Sequence, residues 1–193
     1  MKQKLIFATS NEKKLKEVRD IIGEFYEVIS LKDIQFTEEI PEPFDTIKEN
    51  SIYKANFFYT QTGIPCIAED SGLEVDALDG RPSAYSARYA SEERNDIANY
   101  EKVLAELSET LNRKARFISI ITFKSEEDQA VFEGCMNGII SDIPRGSNGF
   151  GYDPIFVSDG SDKTNAELSS EEKNAISHRR KALDLLTNYF KTR

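Results

Sequence analysis

The sequence predicts an α/β fold with a mixed central sheet flanked by helices. Short apolar runs of strand length recur along the chain, and stretches with apolar residues at helical spacing stand between them. Strands and helices mix throughout, and the second half places strands consecutively, so the sheet is not purely parallel.

Leu5-Ile6-Phe7-Ala8 reads as a buried strand. Thr9-Ser10-Asn11 follows, rich in cap-forming side chains, and Leu15, Val18, Ile21 and Ile22 then give a helix up to Gly23. Phe25 to Leu31 predicts a second strand, and Glu38 to Asp45 an acidic, proline-containing loop. Thr46 and Glu49 have capping-box spacing, and Ile52, Ala55 and Tyr59 continue one helix face. Ile64 to Ala68 predicts a strand running into Glu69-Asp70-Ser71-Gly72, after which Leu73, Val75 and Ala77 alternate. A loop of small and aromatic residues leads to a third helix, marked by Ile97, Tyr100, Val103, Leu104, Leu107 and Leu111. Arg116 to Phe123, Ala130 to Phe132 and Met136 to Ile140 read as strands. A loop with three glycines spans Pro144 to Pro154, and the strand Ile155-Phe156-Val157 follows it. The last helix begins near Ser169, capped toward Glu172, and runs to about Tyr189.

At 193 residues and 21.9 kDa the chain is expected to form one domain, or two lobes sharing one core. Folding at this length buries roughly 70% of the unfolded surface, so no disulfide staples are needed. A net charge of −9 argues against a nucleic-acid polymer or an anionic membrane as partner. It leaves room for a small phosphorylated ligand, which needs only local cations, amides or metal. Cys66 and Cys135 are too few for a disulfide framework, and a reduced cytoplasmic setting is the expectation. The run Leu5 to Ala8 is too short for a signal peptide, and no stretch approaches the ~18 apolar residues of a membrane span.

Four constellations have residue types suited to chemistry. Thr9 to Lys14 is a strand-to-helix turn whose amides, helix dipole and lysines suit an anion, although the same residues also make an ordinary cap. Glu69 and Asp70 end an apolar strand, where adjacent carboxylates call for a cation such as Mg²⁺, with Glu38, Glu39 and Glu42 nearby in sequence on a loop. Asp-Ser-Gly is equally good turn chemistry. Arg145 to Pro154 sets Phe150 and Tyr152 among glycines, where aromatic rings can flank a flat base and Asp153 can accept from a ring N–H; a plain hairpin loop is the alternative. His178 and Arg179 interrupt the apolar face of the last helix, so they are paired internally or line a cleft. Lys173 near the start of that helix opposes the dipole, which fits an anion close by. Lys54 and Arg88, taken alone, read as solvated charges.

Taken together these segments resemble the inosine triphosphate pyrophosphatase family, which acts on non-canonical purine nucleoside triphosphates. The matching stretches are FATSNEKKLKEV (7–18), ENSIYKA (49–55), AEDSGLEVDAL (68–78), YSARYA (85–90), GSNGFGYDPIF (146–156) and SSEEKNAISHRRKAL (169–183), in the family's order. The resemblance implies an elongated fold of two lobes with the active site in the cleft between them, and a homodimer. It implies Mg²⁺-dependent hydrolysis of ITP, dITP and XTP to the monophosphate and pyrophosphate. It further implies that Thr9, Ser10, Asn11, Glu12, Lys13, Lys14 and Lys54 bind the triphosphate. Asp70 matches the family's catalytic acidic residue and Glu42 the metal-binding glutamate. Ser71, Phe150, Gly151, Tyr152, Asp153, Lys173, His178 and Arg179 match positions that hold the nucleotide. Phe44, Ser83 and Ser91 stand where the family often has glycine.

Overall fold

The structure, a computed structural model, describes residues 2–38 and 40–192. Its strands are β1 (Gln3–Phe7), β2 (Tyr26–Ser30), β3 (Cys66–Val75), β4 (Lys114–Lys124), β5 (Gln129–Ile140) and β6 (Phe156–Ser158). Its α-helices are α1 (Glu12–Ile22), α2 (Ile47–Thr62), α3 (Asp96–Glu106), α4 (Ser170–Ile176) and α5 (His178–Lys191). The strands form one sheet in the order β2-β1-β3-β4-β5-β6. β1 runs parallel to β2 and β3, whereas β5 and β6 are antiparallel, so the sheet is mixed as the sequence predicts. Among the described residues no helix is long and apolar enough to cross a membrane.

The chain divides into two compact units. The first comprises the residues through Asp70, Ser119–Gly134 and the chain from Arg179 onward; the second comprises Ser71–Ile118 and Cys135–His178. In the first unit the two-residue period of a strand sorts side chains onto two faces. Leu5, Phe7 and Ile67 join a core with Leu15 and Val18 of α1 and with Leu183 and Leu186 of α5. Ile6, Ala8, Cys66 and Ala68 join another with Ala55 and Phe58 of α2. Helices cover both faces, which is why β3 is buried from Cys66 to Asp70 instead of alternating.

In the second unit Leu73 and Val75 of β3, Phe117 of β4 and Met136 and Ile140 of β5 pack with Val103 and Leu107 of the α3 region. The helix predicted up to Leu111 stops earlier. Ser108 and Thr110 donate to carbonyls three residues back, a tightening that closes the helix and leaves Leu111 fully exposed.

Other elements differ from the sequence expectation. Glu69-Asp70-Ser71-Gly72 lies inside β3, not at its end. Gly72 lets the chain pass this point as a strand, because a Cβ there would meet the Ser83 carbonyl oxygen at 2.1 Å. Likewise the two short strands expected after residue 129 are one continuous β5. The last helix breaks at Ser177, whose backbone is extended at φ −66 and ψ 153. The break resets the helical phase, so Ala175 is exposed and does not continue the apolar face of Ala182 and Leu183.

Candidate active site

Alternation along β3 sends its two adjacent carboxylates to opposite faces, Glu69 with Ile67 toward α1 and α5, and Asp70 with Ala68 toward α2. Asp70 is buried, and its Oδ1 accepts a hydrogen bond from Lys54 Nζ at 3.0 Å. The same ammonium donates to Glu42 Oε1 at 3.0 Å. Lys54, 5% exposed, is thus shared by two carboxylates that the sequence places 28 residues apart (70 minus 42). Burial pulls the Lys54 pKa down, but Asp70 and Glu42 together raise it above the ordinary lysine value. Burial also raises the Asp70 pKa; Lys54 and Lys14 oppose this only in part, and Glu42 adds to it. The two shifts have different leading causes: burial sets the direction at Asp70, and the two neighbouring carboxylates set it at Lys54. Asp70 Oδ2 is buried with no hydrogen-bond partner among the described residues.

This donor set fits a divalent metal. Mg²⁺ prefers hard oxygen ligands and is commonly held by one or two carboxylates together with substrate phosphates and waters. Glu42 and Asp70 supply two carboxylates, and Asp70 Oδ2 has no hydrogen-bond partner among the described residues. Among the described residues no group of three or more His, Cys, Asp and Glu side chains is arranged for a metal. Glu38 is exposed, and Glu39 lies outside the described residues.

Glu69 is engaged differently. Its carboxylate accepts from Arg179 Nε at 3.0 Å to each oxygen, pairs with Arg179 Nη2 at 2.9 Å, and accepts from Ser119 Oγ at 2.8 Å. Lys14 Nζ stands 3.8 Å away. Arg179 also pairs through Nη1 with Glu17 of α1. Burial raises the Glu69 pKa, but Arg179, Lys14 and the hydrogen bonds lower it well below the ordinary value. Burial likewise lowers the Arg179 pKa, and Glu69 with Glu17 carries it higher than usual. Arg179, 1% exposed, is therefore an internally paired guanidinium.

In the turn before α1, Asn11 is the cap. Its Oδ1 accepts from the N–H groups of Lys13 and Lys14 at 3.0 and 3.2 Å. Its own N–H donates to Thr9 Oγ1 at 3.2 Å. Ser10, Glu12 and Lys13 are exposed, and Glu12 pairs with Lys32. Lys14 is half-buried, and burial lowers its pKa although Glu69 opposes the shift.

The second unit holds its own cluster. Asp153 Oδ2 accepts from Lys173 Nζ and from the Phe150 N–H, both at 2.8 Å, and Asn165 Nδ2 donates to its Oδ1 at 3.3 Å. Gly149, at φ +76, has no room for a side chain, because a Cβ would meet Asp153 Oδ2 at 2.1 Å. Lys173 Nζ also lies 4.8 Å from the Phe150 ring centroid. Gly151 donates its N–H to Asp96 at 2.9 Å. Of the two aromatics in the loop, Phe150 keeps partial exposure, while Tyr152 turns into the core and donates to the Ser86 carbonyl at 2.7 Å. Burial raises the Tyr152 pKa beyond the usual range. His178 is buried and stacks on Phe117, with ring centroids 5.0 Å apart and planes 12° from parallel. Ser71 is half-buried on β3.

Within the first unit the structure thus joins Glu42, Lys54 and Asp70, and separately Lys14, Glu69 and Arg179. Within the second it joins Phe150, Asp153 and Lys173. Sequence reasoning did not single out Glu17, Asn50, Ser119 or Asn165 as site residues. Two of them carried a readable signal. Glu17 follows Lys13 and Lys14 by one helical turn, and Asn50 precedes Lys54 by one turn on the same helix face.

The model of the Ham1 family matches residues 5–189. The dITP/XTP pyrophosphatase of Flavobacterium johnsoniae is 46% identical over 188 residues, covering 95% of this chain and 98% of that protein. The dITP/XTP pyrophosphatase of Bacillus subtilis is 49% identical, covering 94% of each. Among solved structures, the Ham1 protein of Staphylococcus aureus superposes with a TM-score of 0.89 at 40% identity, over 98% of this chain and 99% of that one. A HAM1 protein from Coxiella burnetii gives 0.90 at 36% identity, over 99% and 100%. Matched over nearly its whole length in both sequence and fold, the chain belongs to the Ham1 family.

Proposed function

We propose that this protein hydrolyses the non-canonical purine nucleoside triphosphates ITP, dITP and XTP to the monophosphate and pyrophosphate, removing them from the nucleotide pool. The observation that carries the reading is the Glu42–Lys54–Asp70 cluster, two carboxylates on one lysine, with Asp70 Oδ2 buried and without a hydrogen-bond partner among the described residues. The relatives named dITP/XTP pyrophosphatase support the choice of substrate.

Glu42 and Asp70 would hold Mg²⁺, which would offset charge on the phosphate oxygens. Asp70 orients a water and takes its proton as the water attacks the α-phosphorus, and pyrophosphate leaves. Lys13, Lys54 and Lys173 stabilise charge growing on the phosphates, with Thr9, Ser10, Asn11, Glu12 and Lys14 shaping the turn that receives them. Ser71, Phe150, Gly151, Tyr152, Asp153, Lys173 and His178 hold the nucleotide, and Arg179, paired internally with Glu69 and Glu17, supports the site as framework. Of these, Phe150 is the partly exposed aromatic of the loop, and Tyr152 and Asp153 fix the loop that carries it. Donors for the 6-carbonyl of hypoxanthine or xanthine would come from His178 or backbone amides, since the Arg179 guanidinium is already paired with Glu69 and Glu17. An adenine amino group would leave such donors unpaired, a mismatch that can cost on the order of 10⁴ in selectivity. A cytoplasmic homodimer belongs to the same reading.

Product analysis tests it. The protein is incubated with Mg²⁺ and separately with ITP, XTP, GTP and ATP. ITP and XTP are expected to give monophosphate and pyrophosphate, with GTP and ATP spared. Diphosphate and free phosphate as products would place the attack at the γ-phosphorus and overturn the mechanism.

A further inference from the structure

The acidic loop that carries Glu42 has no regular secondary structure between Pro41 and Thr46, yet it is fastened to α2 at more than one point. Asn50, 2% exposed, makes both of its contacts to a single residue of that loop. The Phe44 N–H donates to Asn50 Oδ1 at 2.9 Å, and Asn50 Nδ2 donates to the Phe44 carbonyl at 2.9 Å. A carboxamide that both accepts from and donates to the same residue fixes its backbone in distance and in rotation. Lys54 follows Asn50 by four positions, hence on the same helix face, and takes Glu42 at 3.0 Å. One face of α2 therefore grips the loop at Phe44 and at Glu42, two residues apart. The Phe44 ring adds an edge contact to Tyr53 at 5.6 Å between centroids.

We infer that Asn50 is a positioning residue for Glu42: its carboxamide fixes the loop backbone so that the Glu42 carboxylate shares Lys54 with Asp70 and the two carboxylates face a divalent cation together. The inference rests on the metal reading above. A loop left free would have to be ordered each time the metal binds, and that ordering would weaken binding. Groups that orient a metal ligand without touching the metal typically change affinity 10- to 100-fold when removed. The hydrogen bonds come from the Phe44 backbone, so the identity of the ring is secondary.

The test is Mn²⁺ binding to the full chain without nucleotide, followed by electron paramagnetic resonance, with folding checked by circular dichroism. Asn50→Leu is expected to weaken Mn²⁺ binding about tenfold. Where leucine is not accommodated in the buried site, Asn50→Ala replaces it. Phe44→Ala keeps the backbone clip and is expected to stay within about threefold of wild type, since it removes only a ring contact. In a Glu42→Gln background Asn50→Leu should add no further loss, because its effect passes through Glu42. Unchanged Mn²⁺ affinity in a folded Asn50→Leu protein overturns the role, as does a loss that adds fully to that of Glu42→Gln. If the wild type binds Mn²⁺ no better than Asp70→Asn, the metal reading itself fails and takes this role with it.

Discussion

Glu69 and Asp70 are consecutive residues of one strand, both buried, and they sit in opposite electrostatic situations. On the Glu69 face two carboxylates, Glu69 and Glu17, meet two cations, Arg179 and Lys14. Charge balances among these four groups, and although burial by itself raises the Glu69 pKa, Arg179, Lys14 and the hydrogen bonds outweigh it and push it down. On the Asp70 face two carboxylates share one lysine, and the Asp70 pKa rises. A balanced buried cluster is finished as it stands and serves as framework. The Asp70 cluster keeps a buried carboxylate oxygen without a hydrogen-bond partner among the described residues, which is the feature the proposed cation would satisfy. The strand's alternation alone decides which carboxylate has which role.

The largest effect should come from the unbalanced side. Asp70→Asn keeps the shape and removes the carboxylate. Turnover of ITP should fall by about 10²–10⁴, the range expected for loss of a general base. The folded state should survive, because burial already disfavours the charge that is removed. Steady-state kinetics beside a thermal melt would decide. Turnover within tenfold of wild type would remove Asp70 from the chemistry, and binding of ITP with no turnover even in the wild type would favour a nucleotide sensor.

Glu69→Gln should show the reverse pattern, a fold effect before a chemical one. Breaking a buried pair by neutralising one partner costs about 3–5 kcal/mol, and the remaining Glu17–Arg179 pair places this substitution near the lower end. Urea unfolding would report it as a lower midpoint with unchanged slope. The pH dependence has a fixed sign. Glu69 has a folded pKa below its ordinary 4.5, so its contribution is complete above that value and is lost as pH falls toward the folded pKa. The variant should lack that acid-side loss. Equal stability of variant and wild type at pH 7 would mean that the balanced cluster is not framework.

Much of this arrangement was legible in the sequence. The apolar run before Glu69 and the caps at Asn11, Thr46 and Ser169 are local signals, and the structure uses each of those caps. What was not legible depended on contacts distant along the chain. Nothing local says that Arg179 meets Glu69 from 110 residues away. The Asp-Ser-Gly stretch looks like a turn, because its strand conformation depends on Gly72 lying against the Ser83 backbone. Ser83 stands where the family often has glycine, and it takes the left-handed conformation at φ +49 that glycine would adopt readily. Tyr152 looked like a base-flanking ring from its glycine neighbours, and only packing shows that its hydroxyl is satisfied in the core.

The smallest predicted effect sharpens the comparison by taking the same kind of contact out to solvent. Ser169 and Glu172 form a reciprocal cap on α4. The Glu172 N–H donates to Ser169 Oγ at 3.1 Å, and the Ser169 N–H donates to Glu172 Oε2 at 2.7 Å. That backbone donor, and then the Ser169 hydroxyl, hold the Glu172 carboxyl below its ordinary 4.5. The cap fixes the start of the helix that carries Lys173 to Asp153. Ser169→Ala should cost about 1 kcal/mol at neutral pH, the usual value for a lost cap. A depressed carboxyl stabilises above its ordinary pKa and loses that contribution as pH falls through the folded value. The gap between Ser169→Ala and wild type should therefore narrow as pH falls below the ordinary 4.5 and through the folded Glu172 value, as judged by unfolding midpoints across a pH series. A gap that stayed constant would show that the serine hydroxyl acts alone, without the carboxylate, and would limit charge-dependent stability in this comparison to the buried clusters.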